Sequence, residues 1–369
     1  MGIHLLVSIV VAAGPAATPE LARQINPELP TVVSASRWEA APRPTNSHRD
    51  DGPWPTEGWS TSTPEAQGMD TRNLYKAFLY AARQKSRAVI VARHGYIVGE
   101  WYRRGWDAST QQTGYSIAKS FTSALVGIAV DRGSIGNVNN PVSNYVPAWN
   151  EFWHGGVQVR HLLSMNSGLH WDWYSDYVLL PSAWNQNAFS IGLGMDTFPG
   201  FFWMYHNAGS QVLSEVLRNA TGLQPHQYAR QHLWDRIGMW DAWWYTDGAG
   251  NTLTYQSVVA SAQEFAKFGH LYNRDGWWDG EEVVPTWWVH ESTQPSQLGN
   301  IYYGHLWWLN TGGTAWPDVP ADAFAAMGLY ERRIYVVPSL DLVAVRLGDA
   351  NSSWSDNEFL GRVCRSITD

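Results

Sequence analysis

Lysine is scarce in this chain of 369 residues: there are four, Lys76, Lys85, Lys119 and Lys267. Lys and Arg together number 25 against 33 Asp and Glu, and no basic run stands out. A nucleic-acid partner is therefore not expected. The single cysteine, Cys364, excludes an internal disulfide and a thiolate zinc site, and its neighbours read as an ordinary terminal helix. The twelve histidines contain no His-Glu-x-x-His pairing. No glycine-rich phosphate loop is present. Gly-x-Ser-x-Gly is also missing, since Gly114-Tyr-Ser116-Ile-Ala118 carries only its first half. The largely apolar run from Leu5 to Ala13 is too short to span a bilayer, and no other stretch approaches that length. No membrane span is expected.

What is present is a large apolar inventory. The hydrophobic fraction is 44% and the charged fraction 16%, enough for a sizeable core. Tryptophan is abundant, at 23 residues, and serves cores and ligand walls alike. Residues 1–17 resemble a short signal peptide and point to export; the lack of Lys or Arg ahead of the apolar run leaves a cytoplasmic N-terminus as the alternative. Residues 18–63, rich in Pro, Ser, Thr and Asn, read as an extended N-terminal arm.

Regular structure is expected from a helix near Asp70 to Gln84, with Leu74, Phe78, Leu79 and Ala82 at helical spacing. A β-hairpin follows, with Ala88–Ala92 and Tyr96–Tyr102 flanking His94-Gly95. The spacing of Ile117, Phe121, Ala124, Leu125 and Ile128 predicts a helix over Ile117–Val130 with one apolar face. Late strands are expected at Tyr302–Leu309, Ala323–Met327, Arg333–Val337 and Leu342–Arg346, with a turn at Pro338–Asp341 between the last two. Strands at both ends with helices between them predict an α+β protein. Its α/β sandwich lobe, residues 64–125 with 250–369, would carry an antiparallel sheet built from both termini. A mostly helical lobe would occupy 126–249.

The chemistry concentrates at Ser116-Ile-Ala-Lys119, where the predicted helix starts. Residues three apart share a helix face, so hydroxyl and amine can meet. Serine is a weak nucleophile until a neighbour takes its proton, and a lysine made less basic by burial can do that. A protonated lysine could instead hold a nearby tyrosine as phenolate. The open N–H groups of a helix start favour a developing oxyanion. A helix cap beside a solvated lysine would leave the same four letters. Tyr205-His206-Asn207, the one Tyr-x-Asn in the chain, precedes a second helix start. Tyr205 could act as base toward Ser116 and as acid toward a leaving group. Asn207 could orient Lys119 and the substrate carbonyl.

Ser-x-x-Lys followed by Tyr-x-Asn resembles the penicillin-recognising superfamily of class C β-lactamases and D-Ala-D-Ala carboxypeptidases. The runs Gly114–Gly127, Val159–Leu169, Phe265–Gly269 and Gly276–Gly280 are similar to its esterase and 6-aminohexanoate-dimer hydrolase branch. The similarity extends from about Pro64 to the C-terminus. It implies a β-lactamase/DD-peptidase-like fold, catalysis by Ser116, Lys119 and Tyr205, and an oxyanion hole from the N–H groups of Ser116 and Leu329. The family's third motif, Lys- or His-x-Gly, corresponds here to Ala326-Met327-Gly328, with Gly328 at the substrate. The cation that relatives use to grip a substrate carboxylate is missing, although Arg332 or Arg333 could supply one. That departure turns the expectation from penicillins and cell-wall peptides toward neutral esters or linear amides. Tyr174 or Tyr177 is a candidate contact for a leaving amine, and Phe201, Phe202 and Trp203 for an acyl pocket. His206 is expected to point away from the site. The expected activity is a serine hydrolase forming an acyl-enzyme on Ser116 with a small-molecule ester or amide, without a metal or cofactor. β-Lactamase or carboxypeptidase activity, and a non-catalytic binding protein of the same fold, are the alternatives.

Overall fold

Asp70 starts the first helix: its carboxylate accepts from the Asn73 N–H at 2.7 Å, satisfying one of the donors that a helix start leaves open. This helix covers Thr71–Arg83 (α1). The computed structural model describes residues 52–368. The leader read at 1–17 and residues 18–51 of the arm lie outside the described residues. After α1 the chain forms the hairpin Ser86–Arg93 (β1) and Tyr96–Tyr102 (β2). The turn residues His94 and Gly95 have φ of 52° and 81°, the left-handed pair that a tight two-residue hairpin requires. There follow Gln112–Thr113 (β3) and the helix Ile117–Asp131 (α2). Short helices and loops lead to the helix Asn207–Thr221 (α3). Then come Trp243–Trp244 (β4), Val258–Ala260 (β5) and the helix Ala262–Asn273 (α4). Trp308–Leu309 (β6), Phe324–Gly328 (β7), Arg332–Val337 (β8) and Leu342–Gly348 (β9) precede the terminal helix Asp356–Cys364 (α5).

The main sheet is antiparallel, in the order β2-β1-β9-β8-β7-β6, so its strands do come from both ends of the chain. Alternation along the strands divides the core. Ile90, Ala92, Ile334, Val336, Val343 and Val345 pack on one face with Phe121 and Leu125 of α2 and Phe265 and Phe268 of α4. Val89, Val91, Tyr335, Val337 and Ala344 pack on the other with Leu74 and Ala77 of α1 and Phe359 and Val363 of α5. Both faces are covered by helices, so the strands are apolar on successive residues. Among the described residues no helix is long and apolar enough to cross a membrane.

Two expectations are corrected. Helix α2 does not present one apolar face: Ile117 to Ala129 are buried throughout. Its polar residues go inside because distant carbonyls meet them, Ser120 Oγ donating to Leu306 O and Thr122 Oγ1 to Thr254 O, each at 2.8 Å. The predicted strand Tyr302–Leu309 shrinks to Trp308–Leu309, because the chain reverses within it. Tyr303 bridges Trp308, and the Leu309 N–H donates to Tyr302 O at 2.9 Å. A small sheet, β3-β5-β4, was not foreseen; its strands are too short to leave a periodic signal.

Candidate active site

The small sheet fixes the turn that carries Ser116. The Gly114 N–H donates to Val258 O at 2.6 Å, and the Ser257 N–H to Tyr115 O at 3.0 Å. Tyr115 is held at φ 49°, the left-handed region that a bulky residue enters only under constraint. Ser116 is therefore delivered, half-buried, at the N-cap of α2. The next three N–H groups, of Ile117, Ala118 and Lys119, donate to Gly114, Tyr115 and Ser116 carbonyls.

One turn into α2, Lys119 is 1% exposed. Its Nζ lies 3.1 Å from Ser116 Oγ, 2.7 Å from Asn207 Oδ1 and 2.9 Å from Tyr255 O. Burial pushes its pKa down to about 7, against the opposing field of Asp176. Lys119 Nζ donates to all three oxygens; as a neutral amine it would keep hydrogens on Asn207 and Tyr255 and turn its lone pair to the Ser116 hydroxyl.

Tyr205 completes the group. Its ring lies over Lys119 Nζ, 4.7 Å from the centroid, and stacks on Trp308 at 5.9 Å. The Ser116 hydroxyl bears on its phenol. Burial raises the phenol's pKa above its ordinary value, with Ser116 acting in the opposite sense. Asn207 opens α3, and its side chain bears on the Tyr177 phenol. Hydroxyl, amine, phenol and carboxamide, distant in the chain, thus meet in one cluster.

The third element sits across from the Ser116 turn. A Cβ at Gly328 would stand 2.0 Å from Gly114 O and 3.4 Å from Ile117 N. Only glycine permits this approach, and it brings the chain at Leu329 beside the Ser116 turn. The Leu329 side chain is exposed. Both Arg332 and Arg333 are engaged by protein groups. Arg332 donates to Thr113 O and Gly348 O and lies over the Tyr115 ring. Arg333 pairs with Asp356 at 2.9 Å and donates to Gly328 O at 2.8 Å.

The remaining predicted residues divide. Tyr177 joins the cluster through Asn207, whereas Tyr174 stays 57% exposed with nothing tying it to Ser116. Trp203 packs edge-on against Trp308, one ring removed from Tyr205. Phe201 and Phe202 remain on the surface, edge to face with each other. His206 is buried, 4% exposed, with Nε2 3.5 Å from Asp176 Oδ1. Sequence reasoning missed two participants. Tyr255 contributes a backbone carbonyl, which has no residue signature. Asp176 was passed over between the two tyrosines of its loop; its signal was a helix start at Asn207 lacking an acidic first turn and a capping side chain.

The chain is similar to several known proteins. A 6-aminohexanoate-dimer hydrolase from Paenarthrobacter ureafaciens is 25% identical over 300 residues, 73% of this chain and 73% of that protein. A solved family VIII carboxylesterase shares the fold at a TM-score of 0.65 and 16% identity, covering 83% of this chain and 98% of that one. A penicillin-binding protein homologue from Caulobacter crescentus does so at 0.67 and 12% identity, covering 84% and 99%. The beta-lactamase family profile matches residues 71–359. The chain therefore belongs to the beta-lactamase family, a family of serine hydrolases that includes esterases and aminohexanoate-dimer hydrolases.

Proposed function

We propose that this protein hydrolyses neutral carboxylic esters through an acyl-enzyme on Ser116. The observation that carries the reading is the setting of Lys119, a buried amine whose two hydrogens are directed at Asn207 Oδ1 and Tyr255 O and whose third neighbour is Ser116 Oγ. Lys119 takes the Ser116 proton as the oxygen attacks the ester carbon. The oxyanion is received by the N–H groups of Ser116 and Leu329. As the tetrahedral species collapses, the C–O bond to the alcohol breaks. Tyr205, kept neutral by burial beside Lys119, passes a proton to the departing alkoxide and is resupplied by the Lys119 ammonium. Water then attacks the acyl-enzyme through the same groups.

Neutral substrates are favoured because the strand position next to the site is filled by Met327, while Arg332 and Arg333 are occupied by protein acceptors. This counts against penicillins and carboxylate-terminated peptides. Linear amides are a second reading, supported by the Tyr177 phenol at Asn207 as an additional group for a leaving amine. The test is turnover of p-nitrophenyl acetate and butyrate by wild type and Ser116→Ala. The variant is expected to lose several orders of magnitude, as a member of one catalytic unit does. Equal rates for the two proteins would remove the assignment.

A further inference from the structure

Helix α3 begins without a cap of its own. His206, its N-cap, offers no side-chain acceptor, and the first turn carries no acidic residue. The open N–H groups are instead met from a loop some thirty residues earlier. Asp176 Oδ2 accepts from Asn207 N at 3.1 Å, and Oδ1 from Ala208 N at 2.9 Å. Trp171 Nε1 donates to the same carboxylate at 3.3 Å, and His206 Nε2 lies 3.5 Å away. Asp176 is 2% exposed. It sits in a wide helical turn, Ser175–Leu179, next to Tyr177, on whose phenol Asn207 bears. A buried carboxylate with this many donors is committed to its place.

Its position matters to the reaction because Asn207 is the residue that Lys119 leans on. We propose that Asp176 is a positioning residue of this site: it clamps the start of α3 so that Asn207 stays against Lys119, and it supplies the counter-charge for the ammonium that Lys119 becomes when it takes the Ser116 proton. This rests on the reading of Ser116 and Lys119 given above. Burial alone disfavours the ammonium, and Asp176 is the charged group whose field opposes that burial. The groups around Lys119 are Asp176 and Tyr177 from the loop, Tyr205, His206 and Asn207 from the start of α3, Tyr255 from the segment before β5, and Ser116 from its own helix; Arg333 on β8 acts on Tyr205. His206 is buried with its pKa below the ordinary imidazole value, which leaves Asp176 as the anionic member.

The experiment is the pH dependence of kcat and kcat/KM for p-nitrophenyl butyrate in wild type, Asp176→Asn and Trp171→Phe, with Ser116→Ala as the blank. Activity rises through the Lys119 pKa as the amine forms. Removing the Asp176 charge makes the ammonium less favourable, so the acid limb of Asp176→Asn moves to lower pH, by about one unit. Plateau kcat falls about tenfold or more as Asn207 loses its clamp. Trp171→Phe keeps the charge and removes a donor that shields it, so its limb moves the other way, by about a few tenths of a unit. This second variant carries the test if Asp176→Asn does not fold. A limb that stays at the wild-type pH in both variants overturns the proposal, even if kcat drops, because a purely structural cap would do that. A wild type no faster than Ser116→Ala defeats the reading of the nucleophile itself, which separates the two failures.

Discussion

Gly328→Ala is the sharpest steric test of the site. The added Cβ would stand 2.0 Å from the Gly114 carbonyl oxygen, and relief to an ordinary contact requires a separation about 1–1.5 Å larger. The Ser116 turn cannot retreat, because Gly114 donates to Val258 O at 2.6 Å and accepts from Ile117 N at 3.2 Å. The end of β7 must move instead, against Arg333, which donates to Gly328 O at 2.8 Å, and against its pairing with Arg332. Overpacking of this kind costs about 1–3 kcal/mol of stability. The larger effect falls on catalysis. A shift of about 1 Å takes the Leu329 N–H out of range of the oxyanion, and loss of one such donor lowers kcat by roughly 10²–10³. KM should change little, since the ground-state carbonyl is not gripped as the oxyanion is. The assay is kcat and KM for p-nitrophenyl butyrate, with Tm measured on the same preparations. A variant with a near wild-type Tm and a kcat within about threefold of wild type would refute the placement of the oxyanion hole.

Two further outcomes follow from the proton chemistry. Tyr205→Phe keeps the ring that stacks on Trp308 and removes only the hydroxyl; kcat for an alkyl ester should fall by about 10²–10⁴, and by less for a p-nitrophenyl ester whose leaving group needs no proton. Equal losses on both substrates would deny Tyr205 a role as proton donor. In wild type, kcat/KM should rise with pH around the Lys119 value of about 7, because only the amine can accept the Ser116 proton; a profile that is flat or falling from pH 6 to pH 8 would contradict it.

The main features of this architecture could be read from the chain because they depend on local spacing. Ser116 and Lys119 lie three residues apart on one helix, so their meeting was implied by the helix itself. The hairpin β1–β2 carried its own turn, and β7, β8 and β9 were visible as apolar runs. What could not be read depends on partners far away in sequence. The buried hydroxyls of Ser120 and Thr122 looked like a polar face until Leu306 O and Thr254 O came to meet them. Asp176 is paired with backbone N–H groups, which every residue has, so no spacing rule marks it. The phenolate considered for Tyr205 likewise depended on an environment unseen in the sequence. Burial holds the phenol neutral and lowers Lys119, so the two pKa shifts favour an amine beside a phenol over an ammonium beside a phenolate.

That proton arrangement also bears on substrate choice. An amine poised near pH 7 is sensitive to any charge brought close to it, because one pKa unit corresponds to about 1.4 kcal/mol of differential interaction. A substrate carboxylate in the cleft would favour the ammonium, raise the Lys119 pKa and withdraw the base at neutral pH. A cation beside the site would cancel that field, and here the adjacent strand offers Met327, with Arg333 held by Asp356 and Arg332 by backbone carbonyls. Asp176 already supplies a negative charge that acts on Lys119. A second, uncompensated by any cation, would tip the amine toward its inactive form. The composition of the third strand and the acidity of Lys119 are in this sense a single property, and it is the property on which the proposal of uncharged ester substrates rests.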